Sequence, residues 1–460
     1  MSQIMTRNRI GRTPLVRAVQ LEKLTGISEI YFKLEGNNPS GHSEDRLAYL
    51  IIRDALSKGK NTICMGTYGV IGGSLSALAP IFNIKCKFYI PSQEPVLRKK
   101  QFENDYVQII PFGRHYQDCV EESRRIALEN DWYNATPGQE NNTINMCAFS
   151  FMAEELKEQM NGRAEMVFCQ TSNGFAISGL NLGFREQWIR DEIEKIPRII
   201  AVTTAHGNAI YESFRRNMKD LVVLDTSQIH KTRINQYLVN PRPLNGQDAL
   251  NALYDSEGEA ISISDHELLE FTQSYKKRDH VKISSSNFYP IAGFMKYARN
   301  GGLKNGKYVI ILDDGHIDIE IRSLHESDFP KPMDHKQEML DQWLGQYSDP
   351  QIEISEALKN TLDKGFVFGA YLAQELVGIA VIINTGFAHF ATNYHLAYVA
   401  TRKNVKGRGI ATQLFHRMIE ETGGNLSLHV DFENHRAIRL YQKMGFKKCY
   451  ARMIHQIKAH

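Results

Sequence analysis

The sequence contains few cysteines, and they are scattered. Its six cysteines in 460 residues form no C-x-x-C pair and accompany no histidine cluster, so neither a disulfide framework nor a zinc site is expected. The chain also lacks an uncharged run long enough to span a bilayer, and its first ten residues contain no apolar signal core. These absences predict a cytoplasmic protein that does not associate with membranes.

The chain also lacks a marked excess of either charge. Its 55 basic and 52 acidic residues leave a formal net charge of +3, which gives no reason to expect a nucleic-acid or acidic-membrane partner. A content of 42% hydrophobic and 23% charged residues is typical of globular proteins. A length of 460 residues predicts two or three domains.

From residue 1 to about 315, short apolar runs alternate with amphipathic segments. This alternation predicts an α/β domain with a mainly parallel sheet, and no internal repeat or low-complexity linker interrupts it. The run Asp313-Asp-Gly-His316 is predicted to end this domain, so we expect domains at 1–315 and 316–460, the second opening with a strand over 317–323. The predicted strands of the first domain are Ile30–Leu34, Thr62–Met65, Lys87–Ile90, Val107–Pro111, Met166–Cys169, Ile199–Val202 and Tyr308–Leu312.

Near the C-terminus, a strand predicted over Tyr394–Thr401 is followed by the basic loop Lys406-Gly-Arg-Gly-Ile-Ala411 and a helix. The two glycines allow several main-chain N–H groups to converge on one point. Because the helix N-terminus adds a positive dipole end, a pyrophosphate is expected to bind there.

A second predicted strand, Leu426–Val430, leads to a helix that carries Asn434, Ala437 and Tyr441 on one face. The glycine loop, followed by N-x-x-A-x-x-x-Y-x-x-x-G-F, resembles the GNAT family of acyl-CoA N-acyltransferases. This resemblance implies an α+β domain with a mixed sheet and acetyl-CoA as the acyl donor. Lys406 stands where the family usually has Arg or Gln.

The resemblance also implies roles for individual residues. Tyr441 corresponds to the acid that protonates the departing thiolate, and His395 is the candidate base because several family members carry a glutamate base at that interval. With period-2 alternation, His395 would share a face with Ala397 and Val399. His429, Asp431 and a water chain to Glu433 are competing bases, while His389 and Tyr394 are expected on the acceptor side. The implied CoA-binding residues are Val399, Ala400, Thr401, Lys406, Gly407, Arg408, Gly409, Ile410, Ala411, Thr412 and Asn434.

The first domain has its own resemblance. Gly11-Arg-Thr-Pro-Leu15, the run IYFKLEGNNPSGHSEDR and two later glycine loops are similar to the cysteine synthase and threonine synthase family. This is the fold type II group of enzymes that depend on pyridoxal phosphate, which implies two lobes with parallel sheets. Those enzymes need a lysine in the motif N-P-T-G-S-x-K-D-R to form a Schiff base with the cofactor. Here the run is Asn38-Pro-Ser-Gly-His-Ser-Glu44-Asp-Arg46, with glutamate in place of the lysine.

Three further elements depart from the family pattern. The T-S-G-N-T-G loop reads Thr67-Tyr-Gly-Val-Ile-Gly72, the phosphate loop reads Ser172-Asn-Gly-Phe-Ala176, and the terminal T-G-x-G element has become Asp313-Asp-Gly-His316. A carboxylate cannot form an imine, so the domain is interpreted as a pseudoenzyme for which bound pyridoxal phosphate is not expected. The residues of its degenerate cleft are His42, Glu44, Tyr68, Val70, Ser172, Asn173 and Gly174, with Phe175 beside them.

Three interpretations of this cleft remain open. Its loops could serve only as turns of an inherited fold, or Glu44 and Asp45 could bind the ammonium group of an amine, or another lysine such as Lys33 could form the imine.

The sequence as a whole predicts an acetyl-CoA-dependent N-acetyltransferase of amino-acid metabolism, acting on a small amine or amino-acid-like acceptor that the first domain binds or presents. One alternative is a non-catalytic pseudoenzyme that binds a metabolite or partner and senses CoA. Another is a pyridoxal phosphate enzyme, an amino-acid lyase or synthase with unusual anchors, fused to an acetyltransferase. The resemblance of the first domain to the cysteine synthase and threonine synthase family implies a homodimer formed through that domain.

Overall fold

The computed structural model describes residues 10–67, 69–93, 102, 104–136, 141–160, 162–229, 231–275, 279, 281–303, 306–317, 319–325, 328, 334–372, 375–387, 392–405 and 409–449. These residues form two compact units, 10–317 and 319–449. Each has its own sheet system and core.

The larger sheet of the first unit has six strands in the order β1-β2-β11-β7-β8-β9. All pairs are parallel except β1 with β2, which is antiparallel. The strands are β1 (Leu15–Arg17), β2 (Ile30–Leu34), β7 (Met166–Gln170), β8 (Arg198–Thr204), β9 (Glu259–Ile263) and β11 (Tyr308–Leu312).

The second sheet of this unit has four parallel strands in the order β5-β4-β3-β6. Two lobes with parallel sheets are the architecture that the sequence predicts. The strands are β3 (Thr62–Gly66), β4 (Lys85–Ile90), β5 (Val107–Pro111) and β6 (Tyr133–Asn134), and a separate antiparallel pair consists of β10 (Val281–Lys282) and β12 (His316–Ile317).

Helices cover the sheets of the first unit, and two of them, α5 and α6, cross closely at glycine. A Cβ atom on Gly183 would lie 2.4 Å from the main-chain oxygen of Ser150, so only glycine permits this approach. The helices are α1 (Val19–Thr25), α2 (Asp45–Ser57), α3 (Val70–Phe82), α4 (Tyr116–Glu129), α5 (Asn142–Gln159), α6 (Phe175–Ile189), α7 (Ala209–Arg215), α8 (Gly246–Asp255), α9 (Asp265–Ser274) and α10 (Tyr289–Arg299).

The second unit is built on one mixed sheet in the order β13-β14-β15-β16-β17. Its strands are antiparallel except for β16 and β17, which run parallel. The strands are β13 (Ile319–Ser323), β14 (Phe366–Leu372), β15 (Glu375–Asn384), β16 (Tyr394–Thr401) and β17 (Leu426–Leu428), and the helices are α11 (Asp334–Leu344), α12 (Gln351–Lys364), α13 (Ile410–Glu421) and α14 (His435–Lys443).

Helices lie on both faces of this sheet. Leu340 of α11 and Ile354 of α12 pack with Val381 and Tyr398 in a buried apolar cluster on one face. On the other face, a Cβ atom on Gly378 of β15 would lie 2.8 Å from Cγ2 of Ile410, the first residue of α13. The sheet is therefore buried from both sides.

The strand predicted over 317–323 is two strands in the structure. His316 and Ile317 pair with Lys282 and Val281 in the first unit, whereas Ile319–Ser323 pairs with β14 in the second. Pairing with two different partners interrupts what reads in the sequence as one alternating run.

Candidate functional site

The sheet of the second unit opens between β16 and β17. The two strands pair only where Tyr394–Leu396 faces Leu426–Leu428. Beyond Leu396, no described strand pairs with this edge of residues 397–401, although the other edge stays paired with β15. The opening leaves main-chain groups that an extended ligand can pair with, as a further strand would.

A β-bulge lies at the start of this opening. Tyr398 pairs with Val381, and Leu396 pairs with Ile382, the next residue of β15. Ala397 is therefore the extra residue of the bulge and has no partner in the register. His395 and Tyr398 therefore lie on the face of α11 and α12, whereas Val399 faces Ala380 on the face of α13. The expectation that His395 shares a face with Val399 is wrong, because the bulge shifts the alternation by one residue.

Helix α13 begins beside this opening. Gly409 precedes it as the N-cap, with a φ of +79° that favours glycine. The twelve-residue helix behind it supplies N–H groups and a positive dipole end. Lys406, Gly407 and Arg408 lie outside the described residues. The described part of the loop can thus hold an anion such as a pyrophosphate.

On α13, Ile410 is buried, whereas Ala411 and Thr412 are half-buried on the first turn of the helix. On β16, Ala400 is buried, and Val399 and Thr401 are half-buried. Four of the residues predicted to bind CoA on these two elements are thus half-buried beside the opening and the helix start.

Tyr441 lies on α14 among aromatic side chains. Its ring centroid is 5.4 Å from that of Phe415 and 6.2 Å from that of Phe446. Burial raises the pKa of the Tyr441 phenol, so the group stays protonated at neutral pH, as a proton donor must. Asn434 is the N-cap of α14, and its Oδ1 accepts the main-chain N–H of Ala437 at 3.1 Å.

His395 is held by a hydroxyl group that sequence reasoning did not identify. Its Nδ1 is 2.9 Å from Oγ of Ser427, its direct neighbour in the β16–β17 register. The His429 ring lies 4.5 Å from the His395 ring, between centroids. The signal for Ser427 was its place on a strand two residues before His429, but only the register shows which side chain it meets.

The remaining candidates on this side have other surroundings. Asp431 is exposed, and its Oδ1 accepts the main-chain N–H of Glu433 at 2.8 Å, so this carboxylate stabilises a turn. The Tyr394 ring lies 5.5 Å from that of Phe366. His389 lies outside the described residues.

In the first unit, Glu44 lies immediately before α2. The hydroxyl of Ser43 is 3.2 Å from Oε2 of Glu44 and 3.1 Å from Oδ1 of Asp313. Burial raises the pKa of Glu44, which the neighbouring His42 opposes. Burial, followed by the negative charge of Glu44, raises the pKa of Asp313 well above its usual range. Two neighbouring carboxyl groups with raised pKa thus lie beside the start of α2.

Asp45 does not join this pair. Its carboxylate accepts the main-chain N–H of Ser40 at 2.6 Å and the hydroxyl of Ser40 at 2.5 Å. The side chain therefore stabilises its own loop, contrary to the interpretation that Asp45 helps bind an amine.

Lys33 is fully buried and structural. Its Nζ donates to Glu155 Oε2 at 2.6 Å, to the main-chain oxygen of Thr13 at 2.8 Å and to Gln159 Oε1 at 2.9 Å. Because an ammonium group has three protons, these bonds use all of them. The geometry does not support Lys33 as an alternative imine-forming lysine.

The glycine loop of the first unit, residues 172–176, leads into helix α6. Gly174 has a φ of +94° and is the N-cap of α6, while the side chain of Phe175 is 7% exposed and packs into the core. The main-chain oxygen of Ser172 accepts the Asn208 amide at 3.4 Å, and Asn173 Oδ1 accepts the Asn240 amide at 2.8 Å. The start of α6 can therefore still receive an anion.

The other cleft candidates are only partly described. Val70 is the first residue of α3 and is 39% exposed, and an apolar side chain there cannot replace the hydrogen bonds of an asparagine. Tyr68 lies outside the described residues.

Only some of the residues predicted to line the cleft suit pyridoxal phosphate. The helix start at Gly174 suits a phosphate, but the carboxyls of Glu44 and Asp313 cannot form an imine with the aldehyde and do not attract its anionic ring oxygen. The residues present do not fit a covalently held cofactor. Among the described residues no group of His, Cys, Asp and Glu could hold a metal ion, and none of their helices is long and apolar enough to cross a membrane.

Two known families match different parts of the chain. Residues 6–314 match the family described as pyridoxal-phosphate dependent enzyme, and residues 320–446 match the acetyltransferase (GNAT) family.

Curated relatives and solved structures resemble the chain over about two thirds of its length. A threonine synthase of Methanocaldococcus jannaschii is 26% identical over 311 residues, covering 66% of this chain and 74% of that protein. A threonine synthase of Mycobacterium tuberculosis is 25% identical over 307 residues, covering 66% and 81%. Threonine deaminase isoform 2 from Solanum lycopersicum superimposes with a TM-score of 0.55 at 15% identity, covering 69% of this chain and 82% of that one. Maize serine racemase gives 0.53 at 17% identity, covering 68% and 93%, and these two structures are evidence for the fold alone.

Proposed function

Because the chain belongs to the pyridoxal-phosphate dependent enzyme family and carries a GNAT acetyltransferase domain, we propose that it transfers an acetyl group from acetyl-CoA to a small amine or amino-acid-like acceptor. The observation that supports this most directly is the opening between β16 and β17, which lies beside the glycine-capped start of α13. An extended arm and a diphosphate are the two parts of CoA that these features suit.

Acetyl-CoA supplies an activated thioester. The main chain of residues 397–401 holds the pantetheine arm, and the first turn of α13 holds the diphosphate. His395 accepts the proton that the acceptor amine loses, because an imidazole titrates near neutral pH. Tyr441, whose pKa is raised by burial, donates the proton that the departing thiolate needs.

Steady-state assays with acetyl-CoA and a panel of amino acids and diamines test the proposal. The Tyr441→Phe variant is expected to lower kcat about 100-fold while the KM for acetyl-CoA is unchanged, since only the proton donor is lost. Tyr371→Phe, the same change on β14, serves as the control and is expected to be silent. Tight CoA binding without turnover of any amine would instead favour the CoA-sensing role.

For the first unit, the proposal is a pseudoenzyme whose cleft binds the acceptor. The Glu44 and Asp313 carboxyls favour an ammonium group between them, and the start of α6 favours a carboxylate or another anion at the other end. A zwitterionic amino acid has both charges.

A thermal-shift screen of the full chain with amino acids and diamines, with and without CoA, tests both clefts. Glu44→Gln is expected to abolish the shift produced by the amine, whereas Glu257→Gln, a change of an exposed carboxylate with a side chain 73% exposed, retains it. Purified wild-type protein with an aldimine absorbance band and a matching covalent mass increase would contradict the pseudoenzyme assignment and favour a working pyridoxal phosphate enzyme.

The cytoplasmic location and the homodimer through the first unit are also part of this proposal. Light scattering of the full chain after size exclusion measures the oligomeric state directly. A monomer at micromolar concentration would contradict the proposed homodimer.

A further inference from the structure

Ser427 and Thr392 extend the surroundings of His395 into a chain of hydroxyl groups. Thr392 Oγ1 donates to Ser427 Oγ at 2.7 Å, and Ser427 Oγ lies 2.9 Å from His395 Nδ1. The main-chain oxygen of Tyr394 lies 3.0 Å from Thr392 Oγ1 and 3.5 Å from Ser427 Oγ. Neither residue belongs to the motifs from which the site was predicted.

The direction of these bonds is assigned by giving each hydroxyl group its single proton. The single Thr392 proton is assigned to its shorter contact, Ser427 Oγ at 2.7 Å, and the single Ser427 proton is then assigned to the main-chain oxygen of Tyr394, which can only accept. The Ser427 oxygen then accepts twice, from the Thr392 hydroxyl and from the ring of His395. For this, Nδ1 of His395 must carry a proton.

We propose that Ser427 is a positioning residue that holds His395 in the tautomer protonated at Nδ1, so that Nε2 carries the lone pair. This inference rests on the proposed acetyl transfer, for which Nε2 is the atom that receives the proton of the acceptor amine. When Nε2 takes that proton, Nδ1 keeps its bond to Ser427, so the ring does not turn during the reaction. The partner of one ring nitrogen commonly sets the state of the other.

The pairing of the two strands places these side chains in contact. His395 and Ser427 are direct partners in the parallel ladder, and their pairing lies in the short stretch before the strands separate. The base is thereby fixed to the last paired part of the sheet, next to the opening where the thioester would lie. Among the described residues, His429 is a further titratable ring near His395, 4.5 Å away between centroids.

Nitrogen-15 NMR of the full chain labelled at histidine tests the tautomer without any acceptor, with His395→Gln identifying the signals. A protonated Nδ1 in the wild type and a loss of this preference in Ser427→Ala are the expected results. A wild-type ring protonated at Nε2, or an unchanged tautomer in Ser427→Ala, would overturn the proposal. Thr422→Val is the matched control, since it removes another buried hydroxyl bond of the same unit, to Met418 at 2.7 Å.

Kinetics separates this inference from the proposed function. If an amine is acetylated, Ser427→Ala is expected to lower kcat about tenfold with the KM for acetyl-CoA unchanged, and Ser427→Thr, which retains the hydroxyl, recovers most of the rate. An acetyl group found on Ser427 by mass spectrometry would overturn the positioning role, because the serine would then be a nucleophile. If no amine is acetylated, the proposed function fails, while the NMR result still decides how the ring is held.

Discussion

Arg46 shows how single residues stabilise the first unit. Its guanidinium group donates to Glu35 at 2.6 and 2.8 Å and to Glu155 at 2.6 and 2.9 Å. Burial opposes the ionisation of Glu155, but Arg46 and Lys33 lower its pKa well below the usual range. Glu155 therefore joins two buried cations to one another.

Replacing Glu155 with Gln should destabilise the first unit by on the order of 3 kcal/mol, because Arg46 and Lys33 are left buried without their shared counter-charge. Chemical denaturation of the full chain measures the change. Glu154→Gln alters an exposed neighbour whose ion pair with Lys157 is 3.8 Å long, and it should cost less than about 0.5 kcal/mol. Equal losses in the two variants would show that the buried network contributes little.

Asp313→Asn should stabilise the first unit at neutral pH by on the order of 1 kcal/mol. Burial and the charge of Glu44 raise the pKa of Asp313 in the folded state, so its contribution to stability is fully present below the unfolded pKa of about 3.9 and is lost as pH rises through the folded pKa. Asparagine escapes that loss and still accepts a hydrogen bond from Ser43. Melting temperatures from pH 4 to pH 8 should diverge in favour of the variant, and parallel curves would contradict the assignment.

At the scale of single residues, the sequence predicted where a residue lies along the chain better than it predicted which side chains that residue contacts. The position of Glu44 at the start of α2 follows from a local motif. The partners of Asp45 and Lys33 do not, because they depend on how Ser40 and Glu155 fold against them. Ser427 escaped notice for the same reason, since its partner lies 32 residues earlier in the chain.

Among the elements, β16 combines a successful prediction with a failed one. The strand bounds Tyr394–Thr401 were predicted correctly, because its apolar run ends at a basic loop. The bulge at Ala397 could not be predicted, since it arises from the register with β15 and leaves no mark on the alternation of apolar residues.

Gly409→Ala tests whether the start of α13 binds CoA. Alanine at a φ of +79° is strained by about 1 kcal/mol, and relief of that strain turns the N–H groups of the first helical turn away. We expect affinity for CoA to fall about tenfold, as measured by isothermal titration calorimetry.

The matched control is Gly424→Ala, at a φ of +80° in the loop after α13 with open space around a Cβ atom. It should lose similar stability and keep its affinity for CoA. Equal affinities in the two variants would contradict the assigned anion site.

At the scale of the whole molecule, CoA should stabilise the second unit against unfolding and leave the first unit unchanged. The described residues 319–449 have their own sheet and apolar cluster, so CoA at about 100 times its Kd should stabilise that unit by about 2.7 kcal/mol. Hydrogen exchange of the full chain should slow in β15, β16 and α13, with AMP as the control ligand. Equal slowing in β11 would contradict this assignment.

Strand–helix alternation predicted the class of the whole fold but not its strand order. β11 lies between β2 and β7, although nearly three hundred residues separate it from the first of these. The pairing of β11 with β2 and β7 depends on packing across the whole unit, so it cannot be predicted from a local sequence pattern.

The anchoring of Arg46 has a practical consequence. Since Glu35 and Glu155 hold the beginning of α2 through Arg46, a substitution of Glu44 leaves that anchor in place. A lysine installed there would bring an amine to the neighbourhood of Ser43 and Asp313, so this one position is where imine chemistry in the first unit can be tested.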